Sequence, residues 1–592
     1  MNLKTGWTKT AGLIAALALI LILAPAALAD SYSDGLVTWS FSGGSITGAT
    51  LASGVTSVGT LAIPEYVPSG SSYVPVTSVG GMTGIGTANV DAVIIPKYVT
   101  SIADNAFKSC ANIKSFDFRC GSLNSIGSYA FYGITAMTSI DLPGSVTSIG
   151  GYAFATDSAL VSIGMPDSLS TIGTYAFYQN SALESIDLPD SLTSIGEYAF
   201  AEDAALSGEI VIPDGVTALN FRCFWRCSSL AAVHLPDGLT SIGGACFASC
   251  TSLADVNFPS GLKTINSSAF TACAITSVDL PDTITKITNY AFSSCNKMTE
   301  ATVPSGEMWI GVFSSCTALQ KVTLGDGVTA ILANVFQNDT SLTDLTVSAD
   351  NPYFCSQGNI IYNKDKTALV VCSPAVTGAV KLPDTVATIK YAAICVCPYL
   401  TSITLPSGLT SIDSAGIADC PALTRVVFQG ACPTFGSSCL ANCSGSLISY
   451  YPVKYESSWS SYSLTNKQAY ANVTWELSDG SEAVTTMENV NSSLIAAPAD
   501  PARDGYTFAG WYDGALDTAA KWDFTVNTVT DDLTLYAHWT AIPYTITFDS
   551  KGGSAVDPIT ADLGSTLTAP ADPVWEGHIF LGWEPVFPAA MP

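Results

Sequence analysis

The sequence is short of charge, of base and of histidine. Charged residues fill 12% of its 592 positions, and 22 Lys and Arg stand against 49 Asp and Glu, a formal net charge of -27. That balance repels phosphate backbones and anionic lipid, which argues against nucleic acid as a partner. Only His234, His538 and His578 could serve a histidine-based hydrolase. His234 falls at an exposed strand position, and the other two sit among aromatic strand residues. No G-x-S-x-G, zincin pair or phosphate-cradling glycine loop occurs, and Gly80 to Gly86 lacks the G-x-G-x-x-G order. Bases that would neutralise a uronate are sparse, which counts against a β-helix polysaccharide lyase or glycosidase, although repeated aspartates always produce carboxylate pairs on a solenoid. The expectation is a non-enzymatic protein with no cofactor and no metal site.

Long apolar runs are also lacking, with one exception at the N-terminus. Lys4 and Lys9 precede an apolar run from Ala11 to Ala24, and Ala27-Leu28-Ala29 precedes Asp30. This order of charge, grease and small residues predicts a secretory signal peptide over 1–29, and so a secreted or cell-surface protein with no membrane span after cleavage. No cysteine near Ala29 suggests a lipid anchor.

What the sequence has is a period. Pro143, Pro166, Pro189, Pro213, Pro236, Pro259, Pro281 and Pro304 recur at nearly constant spacing. A second marker, from Phe107 through Phe131, Phe154, Phe177 and Phe200 to Phe336, keeps the same phase, so chance periodicity is implausible. In the unit from Leu183 to Phe200, Leu183, Ile186 and Leu188 put apolar side chains on one face of a short strand that Pro189 ends. A Pro-Asp-Ser turn follows, Leu192 and Ile195 point back inward, and Tyr198-Ala199-Phe200 closes the coil with an aromatic wedge. One unit cannot bury both its faces, so the units must stack.

The string L-x-x-I-x-L-P-x-x-[LV]-T-S-I-G-x-Y-A-F resembles the bacterial surface leucine-rich repeats of the BspA or Treponema type, over roughly residues 50 to 455. The resemblance implies a leucine-rich-repeat solenoid, with one parallel β-sheet and short helical or irregular turns. After a cap and first irregular repeats over 30–90, repeats run over 91–343. Asn351-Pro-Tyr353 and Gly358 to Val370 break the period and are similar to a hairpin insert, placed at 344–382. Last repeats and a cap containing Trp459 fill 383–462. Beyond them, Tyr506-Thr-Phe508-Ala-Gly510-Trp511-Tyr512 and the closing Leu533 to Trp539 resemble a Listeria-Bacteroides repeat, a β-grasp-like module, over 472–541. A second copy at 544–592 reaches Phe580-Leu-Gly582-Trp583 without a closing strand, and is expected to be truncated.

Eight of the 17 cysteines lie three residues after the wedge position: Cys110, Cys227, Cys250, Cys273, Cys295, Cys316, Cys397 and Cys420. Other coils place Ile134, Asp157, Asn180, Asp203 or Asp339 there. Such a mixture suits a small inward column in which polar members accept backbone N–H groups across coils and cysteine packs as a small hydrophobe. Coils about 4.8 Å apart also fall within the reach of a disulfide. A zinc site would need tighter ligand clusters, with histidine among them.

The residues flanking the strand Ile point outward, onto what the resemblance implies is a concave sheet. They include Asp141, Asp187, Glu209, His234, Asp255, Asp279 and Glu300. This acidic, hydroxylated strip is the candidate ligand-binding surface, with the hairpin near Lys364 to Lys366 beside it. The resemblance implies adhesion to a host or neighbouring-cell surface or matrix protein or glycan. The alternative is a structural spacer of the cell envelope, since roughly 15 coils would make an array on the order of 70 Å long.

Overall fold

Each coil lays down three rows of main-chain hydrogen bonds along the stack. The computed structural model describes residues 31–69, 72–464 and 466–591; the signal peptide expected over 1–29 lies outside them. The first row is the predicted strand, seen where Ser139–Asp141 pairs in parallel with Ser162–Gly164. Ile140 and Ile163 are buried while their neighbours face solvent, the alternation that a half-buried strand requires.

A second row was not anticipated. The Thr-Ser-Ile segment of most coils is a two-residue strand, and Ser101–Ile102, Ser125–Ile126, Ser148–Ile149, Thr171–Ile172 and Ser194–Ile195 pair in parallel register; in Glu300–Met308 and Lys321–Ile331 it is the end of a longer strand. Each Ile is buried. Two residues are too few to show a period-2 pattern in sequence, so a coil read as one strand and a turn carries two strands on different sides.

The wedge makes the third row. Among the described residues the only α-helix is the five-residue Glu456–Ser460 of the cap, so the turns take the irregular form. In one coil Tyr152 and Thr156 have φ of 58° and 63°, and the equivalent pair recurs at Tyr175 and Gln179, then at Tyr198 and Glu202. Left-handed backbone costs about 1–2 kcal/mol per non-glycine residue. It is offset here because the N–H groups of Tyr152, Phe154 and Thr156 donate to the carbonyls of Thr174, Ala176 and Tyr178 at 3.0, 2.8 and 2.8 Å. Inside this row the phenylalanines from Phe131 to Phe292 stack at centroid distances of 4.9 to 5.4 Å, with planes within 11° of parallel.

The stack has distinct ends and one interruption. At the N-terminal end, Val37–Ser42 and Ser45–Leu51 form a hairpin around a fully buried Trp39, and Ser45–Ile46 starts the Ser-Ile row by pairing with Ser78–Val79. Within 344–382 the antiparallel strands Phe354–Gln357, Ile360–Asn363 and Ala368–Cys372 replace a coil, and Gly378–Lys381 rejoins the outward row. In the cap, Trp459 is buried against Phe428 and Tyr451, and its Nε1 donates to the Gly430 carbonyl.

The sheet does not stop at that cap. Lys467–Glu476 pairs in parallel with Ile448–Pro452 and, further along, with Leu533–Ala541, so one strand serves both the solenoid and the module after it. Tyr506–Tyr512 pairs antiparallel with Leu533–Ala541 and brings Trp511 against Trp475. Of the second copy, Pro543–Ile546 and Ile559–Asp562 form one antiparallel pair.

Candidate functional site

The predicted acidic strip lies where the outward row presents it. Asp141, Asp187, Glu209, His234, Asp255 and Asp279 are exposed; Glu300 is half-buried and its carboxylate is 2.7 Å from Lys321 Nζ. Glu209 is in register with Ala232, Ala232 with Asp255, and Ser277 with Glu300. The carboxylates therefore recur along the stack without converging on one point. Asp187 lies outside the regular strands, its coil joined to the previous one through an isolated Ser162–Ser185 bridge.

The other two histidines, His538 and His578, lie in the modules after the solenoid. His538 stacks on Tyr512 at 4.0 Å and its Nε2 is 2.9 Å from the Gly514 carbonyl oxygen, so it packs the module. His578 stacks on Trp575 at 4.0 Å in the last module. Among the described residues no three His, Cys, Asp or Glu side chains gather as a metal site would require.

The inner column is the most chemically loaded part of the solenoid. All 17 cysteines are free. Cys227, Cys250 and Cys273 each donate the thiol to the wedge phenylalanine carbonyl of the preceding coil, at 3.0, 3.1 and 3.1 Å. The acidic members work in the opposite sense: Asp157 Oδ1 accepts the N–H of Ile134 at 2.6 Å, and Asp203 Oδ1 accepts that of Asn180 at 2.8 Å. Asn180 Oδ1 accepts the N–H of Asp157 between them at 2.8 Å. Burial pushes the carboxyls of Asp157, Asp203 and Asp339 well above the usual range. Each keeps one buried oxygen without a partner. Burial also pushes up the thiols of Cys110, to about 12, of Cys227 and of Cys273, so these positions hold neutral groups that pack the column.

Sequence reasoning passed over the tyrosines of the wedge. They belong to the Y-A-F string, but unlike the phenylalanines they stay half-buried at the surface, where Tyr129, Tyr152, Tyr175 and Tyr198 stack at 4.6, 4.6 and 4.4 Å. The signal was present: an aromatic at a non-core position of four consecutive coils.

Known proteins match this geometry. Residues 85–207, 217–343 and 376–473 match the BspA type leucine rich repeat region, and residues 472–538 and 544–584 the Listeria-Bacteroides repeat domain. Internalin H of Listeria monocytogenes is 41% identical over 93 residues, 16% of this chain and 16% of its own length. The curated relatives matched here are thus spanned over a small part of their length. In the solved structures, a leucine-rich repeat protein from Bacteroides ovatus superposes with a TM-score of 0.50 at 21% identity, over 74% of this chain and 99% of its own, which shows the fold. A leucine rich cell surface protein from Faecalibacterium prausnitzii has 25% identity, a TM-score of 0.30, and coverage of 54% and 95%. With its repeat matched over more than half its length, the chain belongs to the BspA type leucine-rich-repeat family, and it carries Listeria-Bacteroides repeats behind the solenoid.

Proposed function

We propose that this is an exported, non-catalytic surface protein that adheres to a host or neighbouring-cell protein or glycan through the outward row of its solenoid. The observation that carries the reading is the register of that row: most coils present a hydroxyl or carboxylate group at the same height, as Ser139 and Asp141, Ser162, Glu209, Asp255, and Ser277 and Asp279 do, while Ile140, Ile163, Ile210, Val233 and Val278 between them are buried. Such a surface binds by many weak contacts summed over a long sheet. Export rests on the charged, apolar and small-residue order of residues 1–29.

Replacing Asp141, Asp187, Asp255 and Asp279 together by Asn should reduce capture on immobilised host matrix protein while leaving the fold intact. Unchanged capture removes the row from consideration. A spacer role is the second reading, supported by the continuity of the solenoid sheet with the following module through Lys467–Glu476. Retention on the organism's own envelope, with none on host matrix, favours it.

A further inference from the structure

A second surface runs along the wedge side of the same coils. The position directly after the wedge phenylalanine alternates between large and small: Tyr132, Ala155, Tyr178, Ala201, Trp225. Ala155 and Ala201 are fully buried, while the three aromatics are half-buried and reach the surface. They stand two coils apart, about 10 Å with coils at strand spacing. Their orientation differs from that of the tyrosine stack beside them. The rings of Tyr152, Tyr175 and Tyr198 lie across the solenoid axis, face to face. Tyr178 stands at 87° to Tyr175, and Tyr132 at 56° to Tyr129, so both rings are rotated out of the stacked orientation, Tyr178 by nearly a right angle. At the far end the Arg226 and Arg222 guanidiniums lie 4.3 and 4.7 Å from the Trp225 ring centroid, Arg226 pairs with Glu202 at 3.7 Å, and Gln179 Nε2 donates to Glu202 at 2.7 Å.

We propose that Tyr132, Tyr178 and Trp225 form a binding platform for an extended β-1,4-linked polysaccharide. In such a chain each sugar is turned by half a revolution relative to its neighbour, so every second ring offers the same apolar C–H face, at the two-sugar repeat. Aromatics two coils apart match that repeat, and the intervening alanines leave the alternate sugars room. Ring faces stack on the sugar C–H faces, and Gln179, Glu202 and Arg226 supply donors and acceptors for the hydroxyl edges. An α-1,4-linked chain coils and cannot keep successive rings over a straight row. This inference deepens the adhesion reading: it names a glycan class and moves its contact from the acidic row to the wedge side.

The test uses the full chain with cellohexaose, xylohexaose and maltohexaose in calorimetric titration. Binding of a β-1,4 hexasaccharide is expected, with maltohexaose inert. The triple variant Tyr132→Ala, Tyr178→Ala, Trp225→Ala should weaken binding at least about tenfold. Because these rings also pack locally, a second measurement avoids substitution: nitration of the unmodified protein, read by mass spectrometry. Saturating β-1,4 hexasaccharide should protect Tyr132 and Tyr178 and leave Tyr290 and Tyr391 open. Equal affinity for maltohexaose, or nitration of Tyr132 and Tyr178 unaffected by ligand, overturns the platform. Binding lost in the Asp141, Asp187, Asp255 and Asp279 variant but kept in the aromatic one also overturns it, and leaves adhesion through the acidic row standing.

Discussion

The coils from Ile134 to Asp203 and those from Cys227 to Cys316 share one backbone and one phenylalanine stack, yet they fill the inner column with opposite chemistry. In the first set a carboxylate or amide oxygen accepts an N–H from the coil before it. In the second a thiol donates to a carbonyl of the coil before it, and the column N–H turns to its own coil, as Cys250 N does to the Phe247 carbonyl. The backbone therefore demands only a small side chain with one well-placed polar atom. It is indifferent to whether that atom gives or takes a hydrogen bond. The outward side differs in part: the first set carries tyrosines before its wedges, whereas two coils of the second carry Ala245, Ala248, Ser268 and Thr271 around theirs, with Trp225 and Tyr290 keeping an aromatic in the coils on either side.

The largest effect should be the one the two sets have in common. Phe177→Ala and Phe270→Ala each remove a fully buried ring from the same stack, and both should cost about 3–5 kcal/mol in urea unfolding. Costs differing by more than about 2 kcal/mol would break the premise that one stack supports both halves.

Next comes the column itself. Asp203→Ala leaves the buried Asn180 N–H without its acceptor, a loss of about 1–3 kcal/mol. Cys250→Ala removes a donor from a carbonyl that also accepts the Cys227 N–H, and should cost about 1 kcal/mol. Equal losses would erase the distinction between acceptor and donor columns.

Acidity separates the carboxyl positions of the column, Asp339 beyond Cys316 included, from the thiol positions. The folded pKa values of Asp157, Asp203 and Asp339 are raised, so between their unfolded value and the folded one the native state holds the extra protons. Stability then falls as pH rises through that window, by at most about 1.4 kcal/mol per pH unit for each group. The triple variant Asp157→Asn, Asp203→Asn, Asp339→Asn keeps an acceptor oxygen at each place and should flatten the slope between mildly acidic and neutral pH, read from urea midpoints. A slope identical to the parent's would assign the pH dependence to the surface charge instead.

The smallest effect is kinetic. Column thiols are buried, while Cys355, Cys432 and Cys439 are half-buried. Iodoacetamide should label those three before any of Cys227, Cys250 or Cys273, as followed by mass spectrometry on the native protein. Early labelling of the column would mean that its coils open locally.

Much of this architecture could be read before any coordinates. Pro and Phe markers at one period announced the stack, and the Cys, Asp and Asn mixture three residues after each wedge announced a buried polar column, because only a small site with backbone partners tolerates that set. The Ser-Ile row escaped because two residues carry no periodicity. The module was expected to start at 472, where the pattern changes, but Lys467–Glu476 runs across that point, since a sheet edge accepts any strand whatever motif supplies it. Of the acidic strip, Asp141, Asp187, Glu209, His234, Asp255 and Asp279 face solvent and Glu300 is half-buried beside Lys321; the strip's lack of convergence follows from spacing along the stack that strand alternation alone does not reveal.

By itself, then, the sequence determined what repeats: coil length, the inward set of Leu, Ile and Phe, the outward positions of the strand, and the β modules behind. These follow from local chemistry, in which apolar side chains must leave water and proline must end a strand. The tertiary structure alone decided how coils meet. It set which side chains of neighbouring coils stack, which column members give a hydrogen bond and which accept one, and that Tyr178 stands at nearly a right angle to Tyr175. Those outcomes depend on distances between residues some 23 positions apart, which no single coil contains.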